Sequence, residues 1–352
     1  MLKCGIVGLP LCGKSTVFNV ITGAGAEVKP YASGKTEPNR ALVNVPDGRF
    51  DRLVEVFEPK KATPAVVEFV DLAGVTRSSG GSSGNSFLSF AAEADALVHV
   101  VRGFENKNLP DPSVDPVRDW RLVETELVYR DLGVIENRLS RLAAKKKTTP
   151  EEADEAALLK ELQEHLLTER PLRERAMTPA QMKSISGFSF LTLKPEIVVF
   201  NLGEGVKMPE TPPAFGDCGA ISMFGALEMD LAELAPEERE EFTRGVTGLE
   251  RSGRDRLIGE AYRLLGLVSF FTTGKDEVKA WTLRDGSTAK DAAGTIHSDL
   301  ARGFIRAQVV SYEDFIKCGA SIPACRDKGV LRLEGKEYVV RDGDMIEIRF
   351  NV

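Results

Sequence analysis

The sequence predicts an α/β fold: a mainly parallel sheet, an inserted helical hairpin and a small β-rich C-terminal domain. Three observations lead there. Short apolar runs at 2–9, 65–70, 96–101 and 197–200 read as buried strands alternating with helical segments, the pattern of a parallel sheet. Between 120 and 194 apolar residues recur instead at spacings of three and four, the seam of packed helices. From about 266 onward, short alternating stretches are split by glycine turns, which favours strands.

A chain of 352 residues is too long for one ordinary core. The expected division is a nucleotide-binding domain over 1–119 and 195–265, a helical insert over 120–194 and a terminal domain over 266–352. The net charge of −7 supplies no global attraction to nucleic acid, and no DNA partner is expected. The five cysteines (Cys4, Cys12, Cys218, Cys318 and Cys325) are odd in number and contain no C-x-x-C, against a disulfide framework or structural zinc site. His99, His165 and His297 lie far apart in sequence, against a histidine metal site. No apolar run approaches a membrane span, and no signal-peptide core opens the chain. A reduced cytoplasmic protein without a membrane partner is expected.

The first strand runs into a helix over 15–22, and 23–40, rich in Gly, Pro, Lys and Ser, reads as a loop. In the insert, Leu132, Ile135, Leu139 and Leu142 form one arm, and Leu159, Leu162 and Leu166 the other. Thr149, Pro150 and Glu152 supply the N-cap, N1 and N3 residues of a capping box for the second arm. Lys145, Lys146 and Lys147 between the arms read as a solvated turn or as a basic tip for RNA phosphates. A charged helical connection is expected over 236–265. Strands are expected at 278–283, 330–333, 337–340 and 345–350, with Asp285-Gly286, Glu334-Gly335 and Asp342-Gly343 as turns.

The most specific motif is Gly8-Leu9-Pro10-Leu11-Cys12-Gly13-Lys14-Ser15, which fits G-x-x-x-x-G-K-[ST]. Its glycines let backbone N–H groups turn inward around phosphate oxygens, and the helix that follows presents its positive end. Leu11, Cys12, Gly13, Lys14, Ser15 and Thr16 are therefore candidate nucleotide-binding residues. Lys14 is placed to carry charge stabilisation at the β and γ phosphates, and Ser15 to bind Mg²⁺. Asp71-Leu72-Ala73-Gly74 follows a buried strand, as a Mg²⁺-side aspartate and a γ-phosphate-sensing glycine do in GTPase-like folds. After the fourth strand, Asn201-Leu202-Gly203-Glu204 stands where guanine-specific proteins carry N-K-x-D. Glu204 no longer fits the guanine edge in the same way, yet it can accept from an adenine amino group. Asn201, Leu202 and Glu204 are the candidate base-side residues.

These motifs, with Thr36-Glu37-Pro38-Asn39, Gly84-Asn85-Ser86-Phe87-Leu88, His99-Val100-Val101-Arg102, Ala280-Trp281-Thr282, Gly303-Phe304-Ile305-Arg306-Ala307 and Arg349-Phe350-Asn351-Val352, make a chain that resembles the YchF (Obg-like ATPase) family throughout. The resemblance implies a Ras-like P-loop G domain of the TRAFAC class with an inserted α-helical coiled-coil hairpin and a C-terminal β-grasp (TGS) domain. It implies ATP preference over GTP, carried by the N-x-x-E sequence, and association with ribosomes. It also implies an apolar residue, here Val75, in place of the water-orienting Gln, so the catalytic group for water is unknown. The family's switch I metal ligand is a Thr that falls one place before Thr36; Thr36 is taken in its stead, completing the expected Mg²⁺ set of Ser15, Thr36 and Asp71.

The chain departs from the family pattern at several places. Leu11 stands where the family has an Asn that in related enzymes helps hold a monovalent cation, which makes K⁺ dependence doubtful. Lys35 falls where the switch I Thr usually lies, either as a substitute charge beside the phosphates or as a solvated loop residue. The 78–84 segment is a Ser/Gly run. Three functions follow: a slow Mg²⁺-dependent ATPase switch, a nucleotide-binding module with little or no hydrolysis, and a GTPase. Ribosome or RNA contact is assigned to the helical insert and the TGS domain, where Lys275, Lys279, Arg284, Lys290, Arg302 and Arg306 are interleaved with acids.

Overall fold

The computed structural model describes residues 2–23, 27–29, 38–72, 90–108, 112–209, 214–232, 234–247 and 249–351. In chain order its elements begin β1 (Lys3–Val7), α1 (Lys14–Thr22), β2 (Glu27–Lys29), β3 (Asn39–Asn44), α2 (Gly48–Phe57), β4 (Lys61–Thr63), β5 (Val66–Asp71) and β6 (Ala96–Gly103). Then come α3 (Pro116–Ala143), α4 (Pro150–Leu166), α5 (Pro179–Ile185), β7 (Glu196–Leu202), β8 (Gly219–Met223), α6 (Gly225–Leu231), α7 (Pro236–Thr247) and α8 (Gly253–Leu264). The remainder is β9 (Leu267–Thr273), β10 (Glu277–Arg284), α9 (Ala289–Ile296), α10 (Ser298–Arg302), β11 (Phe304–Ser311), α11 (Tyr312–Lys317), α12 (Ile322–Asp327), β12 (Arg332–Glu334) and β13 (Asp344–Phe350).

The chain divides into two compact units. One holds Met1–Leu42 and Glu68–Leu257; the other holds Val43–Val67 and Ile258–Val352. In the first, a seven-stranded sheet has the order β2-β3-β5-β1-β6-β7-β8, with β5, β1, β6, β7 and β8 parallel. Strands β6 and β7 are buried along their whole length, as strands covered on both faces are, and carry the buried polar residues His99, Arg102, Glu196 and Asn201 among apolar ones. Part of the region read as a loop over 23–40 is strand: Glu27–Lys29 pairs antiparallel with Arg40–Leu42, which the loop-like composition concealed.

The insert forms as its periodicity predicts. Asp115 caps α3 by accepting from the Arg118 N–H, with Pro116 in the first turn. Thr149 and Glu152 close the expected capping box on α4, satisfying two backbone donors that a helix start leaves free. Leu132, Ile135, Leu158, Leu159, Leu162 and Leu166 share one buried cluster, sealed by Leu172, Ile185 and Phe190. Nearer its start, α3 lays Val123 and Leu127 against Val7, Val70 and Leu97 of the sheet.

The second unit is a six-stranded sheet in the order β12-β11-β13-β9-β10-β4. An antiparallel β9–β10 hairpin and an antiparallel β11–β13 pair meet where β13 runs parallel to β9, a β-grasp arrangement, with α9 packed on the core of Phe270, Leu283, Val309 and Ile346. Strands β9 and β11 were not singled out from the sequence. The expected strand over 337–340 does not form. The Tyr338 carbonyl accepts from the Ala289 N–H and the Val340 N–H donates to Ser287, so this backbone is spent on the start of α9 rather than on a strand ladder. The edge strand β4 comes from far upstream, pairing parallel with Glu277–Lys279. Helix α2 is held in the same unit by Arg49, which meets Asp342 at 2.8 Å and lies over the Phe271 ring.

Leu159 is fully buried between the helical arms, so Leu159→Ala is expected to cost about 2–5 kcal/mol. Tyr129→Ala, at a site 66% exposed, should stay within about 0.5 kcal/mol of the parent. Urea unfolding of both variants measures the difference.

Candidate nucleotide-binding site

The cradle joins β1 to α1 at the carboxyl edge of the parallel sheet, where ligands of open α/β sheets bind. Its conformation demands its glycines. Gly8 has φ 144°, and a Cβ there would lie 2.3 Å from the Val100 carbonyl oxygen. Gly13 has φ 96°, and a Cβ would lie 2.1 Å from Asn201 Nδ2. Leu11 takes a left-handed φ of 63° and is 54% exposed, a conformation costly for a residue with a Cβ. Cys12 is buried, which pushes its thiol up despite Lys14 nearby, so it is packing rather than a reactive group.

Lys14 is buried and its Nζ donates to the Gly8 and Leu9 carbonyls at 3.1 and 2.7 Å. The ammonium is thus folded over the loop it belongs to. Ser15 Oγ donates to Asp71 Oδ2 at 3.3 Å across 56 residues of sequence. A hydroxyl and a carboxylate in this relation suit Mg²⁺, which takes few protein ligands and fills its octahedron with phosphate oxygens and water. Thr16 lies against Gly225 at the head of α6. Thr36, Gly74, Val75 and Lys35 lie outside the described residues.

On the base side, Asn201 is buried at the end of β7. Its Nδ2 donates to the Cys12 carbonyl and its Oδ1 accepts from the Gly225 N–H, both at 3.1 Å. Three segments distant in sequence are tied by one amide. Glu204 is exposed two residues beyond the strand. Leu202 behaves differently from the expectation: its side chain is buried with Phe200 and Phe224, so only its backbone is available to a ligand. Arg102, buried at the end of β6, donates to the carbonyls of Phe104, Pro112 and Ser113 and meets Asp119. It shapes the loop whose Phe104 packs against Gly203.

A second polar cluster joins residues that no sequence spacing connects. Glu196, at the start of β7, accepts from Trp120 Nε1 and contacts His99 Nδ1, both at 3.0 Å, through Oε1. Arg173 meets Glu196 Oε2 at 3.0 Å and also pairs with Glu124. Burial pushes Glu124 up, and the neighbouring Glu196 charge adds to this, to about 8. Burial also works to raise Glu196, but His99 and Arg173 outweigh it and hold it down at about 2. One carboxyl therefore keeps its proton at neutral pH while the other stays ionised. His99, Glu124 and Glu196 bring ligand-type atoms within 4.8 Å of one another, which the sequence spacing of the histidines had argued against. The Arg173 guanidinium already meets both carboxyl groups and supplies positive charge within this cluster. Trp120 and Glu124 belong to α3, so the cluster roots the helical insert in the sheet.

A phosphate cradle opening a helix, a serine–aspartate pair beside it and a parallel sheet around it define a P-loop nucleotide-binding protein of the GTPase class. Family comparison agrees and narrows the class. Residues 3–129 match the family described as 50S ribosome-binding GTPase, and residues 267–351 match YchF-GTPase_C, described as a protein of unknown function. The chain is 41% identical to the Bacillus subtilis protein named Ribosome-binding ATPase YchF, covering all of both chains. It is 40% identical to its Escherichia coli O157:H7 counterpart, covering 99% of each. The structure of the Schizosaccharomyces pombe YchF GTPase superposes with a TM-score of 0.86 at 33% identity, over 99% of this chain and 97% of that one. The chain belongs to the YchF family.

Gly13→Ala should abolish nucleotide binding, because the new methyl occupies the position of the Asn201 amide; titration with a fluorescent ATP analogue checks it. The buried pair predicts a pH slope. With Glu124 at about 8, the folded chain holds a proton that the unfolded chain releases near its ordinary 4.5. Its contribution to stability therefore falls as pH rises through that window. Glu124→Gln stays neutral throughout, so urea unfolding at pH 5, 6.5 and 8 should show the variant gaining on the parent as pH rises.

Proposed function

We propose that this chain is a Mg²⁺-dependent purine nucleotide switch that hydrolyses ATP slowly, in preference to GTP, and acts at the ribosome in the cytoplasm. The observation that carries the reading is the Asn201 amide, which binds the cradle to the loop bearing Glu204. Phosphate binding and base recognition are thereby built on one rigid connection. Lys14 exchanges the Gly8 and Leu9 carbonyls for β- and γ-phosphate oxygens. Ser15, Asp71 and Thr36 would hold Mg²⁺, which when bound would supply charge neutralisation on the same oxygens. Gly74 reports the γ-phosphate, and the apolar Val75 cannot orient the attacking water, so hydrolysis uses another group or is slow. Glu204 accepts from the adenine amino group, a contact that guanine, with a carbonyl at that position, does not offer.

Partner contact is assigned by the names of the relatives, which call them ribosome-binding ATPases. In this chain Lys145 is paired with Glu152 within the hairpin turn, leaving Lys146 and Lys147 exposed at the tip as the residues to meet RNA phosphates. The three-part division into nucleotide-binding domain, helical insert and TGS domain is the working arrangement for this role. No helix among the described residues is long and apolar enough to cross a membrane.

A second reading, a nucleotide-binding module with little or no turnover, is favoured by Leu11, which puts an exposed hydrocarbon where related enzymes place a cation ligand. The test is calorimetric titration with Mg–ATP and Mg–GTP, followed by a turnover assay in K⁺ and in Na⁺. ATP is expected to bind about tenfold or more tighter than GTP, since one hydrogen bond to a charged group contributes about 1.5–3 kcal/mol. Turnover is expected to be slow and equal within about twofold in the two salts. ATP binding without measurable turnover selects the second reading, and tighter GTP binding overturns the ATP assignment.

A further inference from the structure

Two of the three segments tied by Asn201 continue into the lining of one cleft. Downstream of Asn201, the loop contributes Glu204, Val206, Lys207 and Met208. On either side of Gly225, Phe224 and Leu227 contribute apolar surface. The remaining lining comes from α7, through Phe242, Val246 and Thr247. The cleft measures about 520 Å³, within the roughly 300–1,000 Å³ of small-molecule sites.

Its apolar lining has two characters. Phe224 belongs to a buried cluster with Phe200 and Leu202, against which Leu227 and Met208 pack, so this part is fixed. Phe242 and Val246, one helical turn apart on α7, are each 45% exposed. They are large apolar groups left half in solvent beside a ready apolar surface. Glu204 is the one carboxylate of the lining and Lys207 the one ammonium. A flat apolar plate with a hydrogen-bonding edge suits this combination. Glu204, assigned above to the adenine edge, lines the cleft, and this says which plate.

We propose that the cleft receives the purine base of the bound nucleotide, and that Phe242 and Val246 are specificity-determining residues covering one face of it. The inference rests on the purine-nucleotide reading above and adds a wall from α7, a helix whose sequence reads only as a charged connection. The two fused rings of a purine cover both side chains. A single pyrimidine ring leaves part of this surface in water, so the wall selects by size while Glu204 selects by edge.

The test compares Mg–ATP with magnesium tripolyphosphate, which has the phosphates and no base, on the full chain and on the double variant Phe242→Ala, Val246→Ser. Both sites are half exposed, so the fold is expected to persist, and circular dichroism confirms it. ATP affinity should fall about tenfold in the variant, as when a base loses an aromatic platform, with tripolyphosphate affinity unchanged. Unchanged ATP affinity overturns the inference and leaves the purine reading standing. Equal loss for both ligands also overturns it, since the effect then runs through the cradle. If the parent binds ATP no more tightly than tripolyphosphate, the base contributes nothing and the purine reading itself fails.

Discussion

The first unit depends on one buried side-chain amide. Asn201 gives its N–H to the Cys12 carbonyl and takes the Gly225 N–H on its oxygen, so a buried amide uses both of its polar ends. The consequences spread outward. Gly13 has no Cβ because the amide occupies that space. The cradle is fixed against the end of β7, and α6 starts where its first N–H finds that oxygen. Remove the amide and two backbone groups lose buried partners, each costing about 1–3 kcal/mol, and the cradle loses its backing.

Strand β7 is anchored by polar groups near both ends. Asn201 holds the end that faces the nucleotide, and Glu196 holds the other through His99, Trp120 and Arg173. Between them the strand is wholly buried and flanked by parallel neighbours. Such a strand is a stiff connection between the nucleotide site and the root of the helical insert. Burying two carboxylates side by side is expensive unless one stays neutral. The split between Glu124 and Glu196, with Arg173 across both, is the form in which the interior tolerates them.

The parts legible in the sequence were those governed by local spacing. The cradle is eight consecutive residues with glycines forced by positive φ. The hairpin seam is a period of three and four, and its cap is a four-residue pattern. Asp71 was readable because it ends an apolar run, and it does meet Ser15. The Glu196 cluster was not readable: His99 lies 97 residues from its partner and Trp120 lies 76, with no spacing rule to join them. Strand β4 escaped for the same reason, since its partner in β10 lies far downstream. The N-x-x-E pattern puts Leu202 on the base side, but its side chain packs with Phe200 and Phe224, on the face opposite Asn201 as alternation along a strand requires. The strand expected at 337–340 had the right composition, and its hydrogen bonds went to residues 287–289 instead.

The rooted hairpin has a mechanical consequence. From Glu124, fixed in the buried cluster, α3 continues to Ala143 as an arm about 29 Å long at the usual rise of an α-helix. Its far end is stiffened by the α4 capping box and the leucine seam rather than by a loose turn. A tilt of about 10° at the root would carry the tip roughly 5 Å on that helical geometry. A displacement too small to disturb the packing around Glu196 is thereby multiplied, and the lysine-bearing end of the hairpin travels farthest of all.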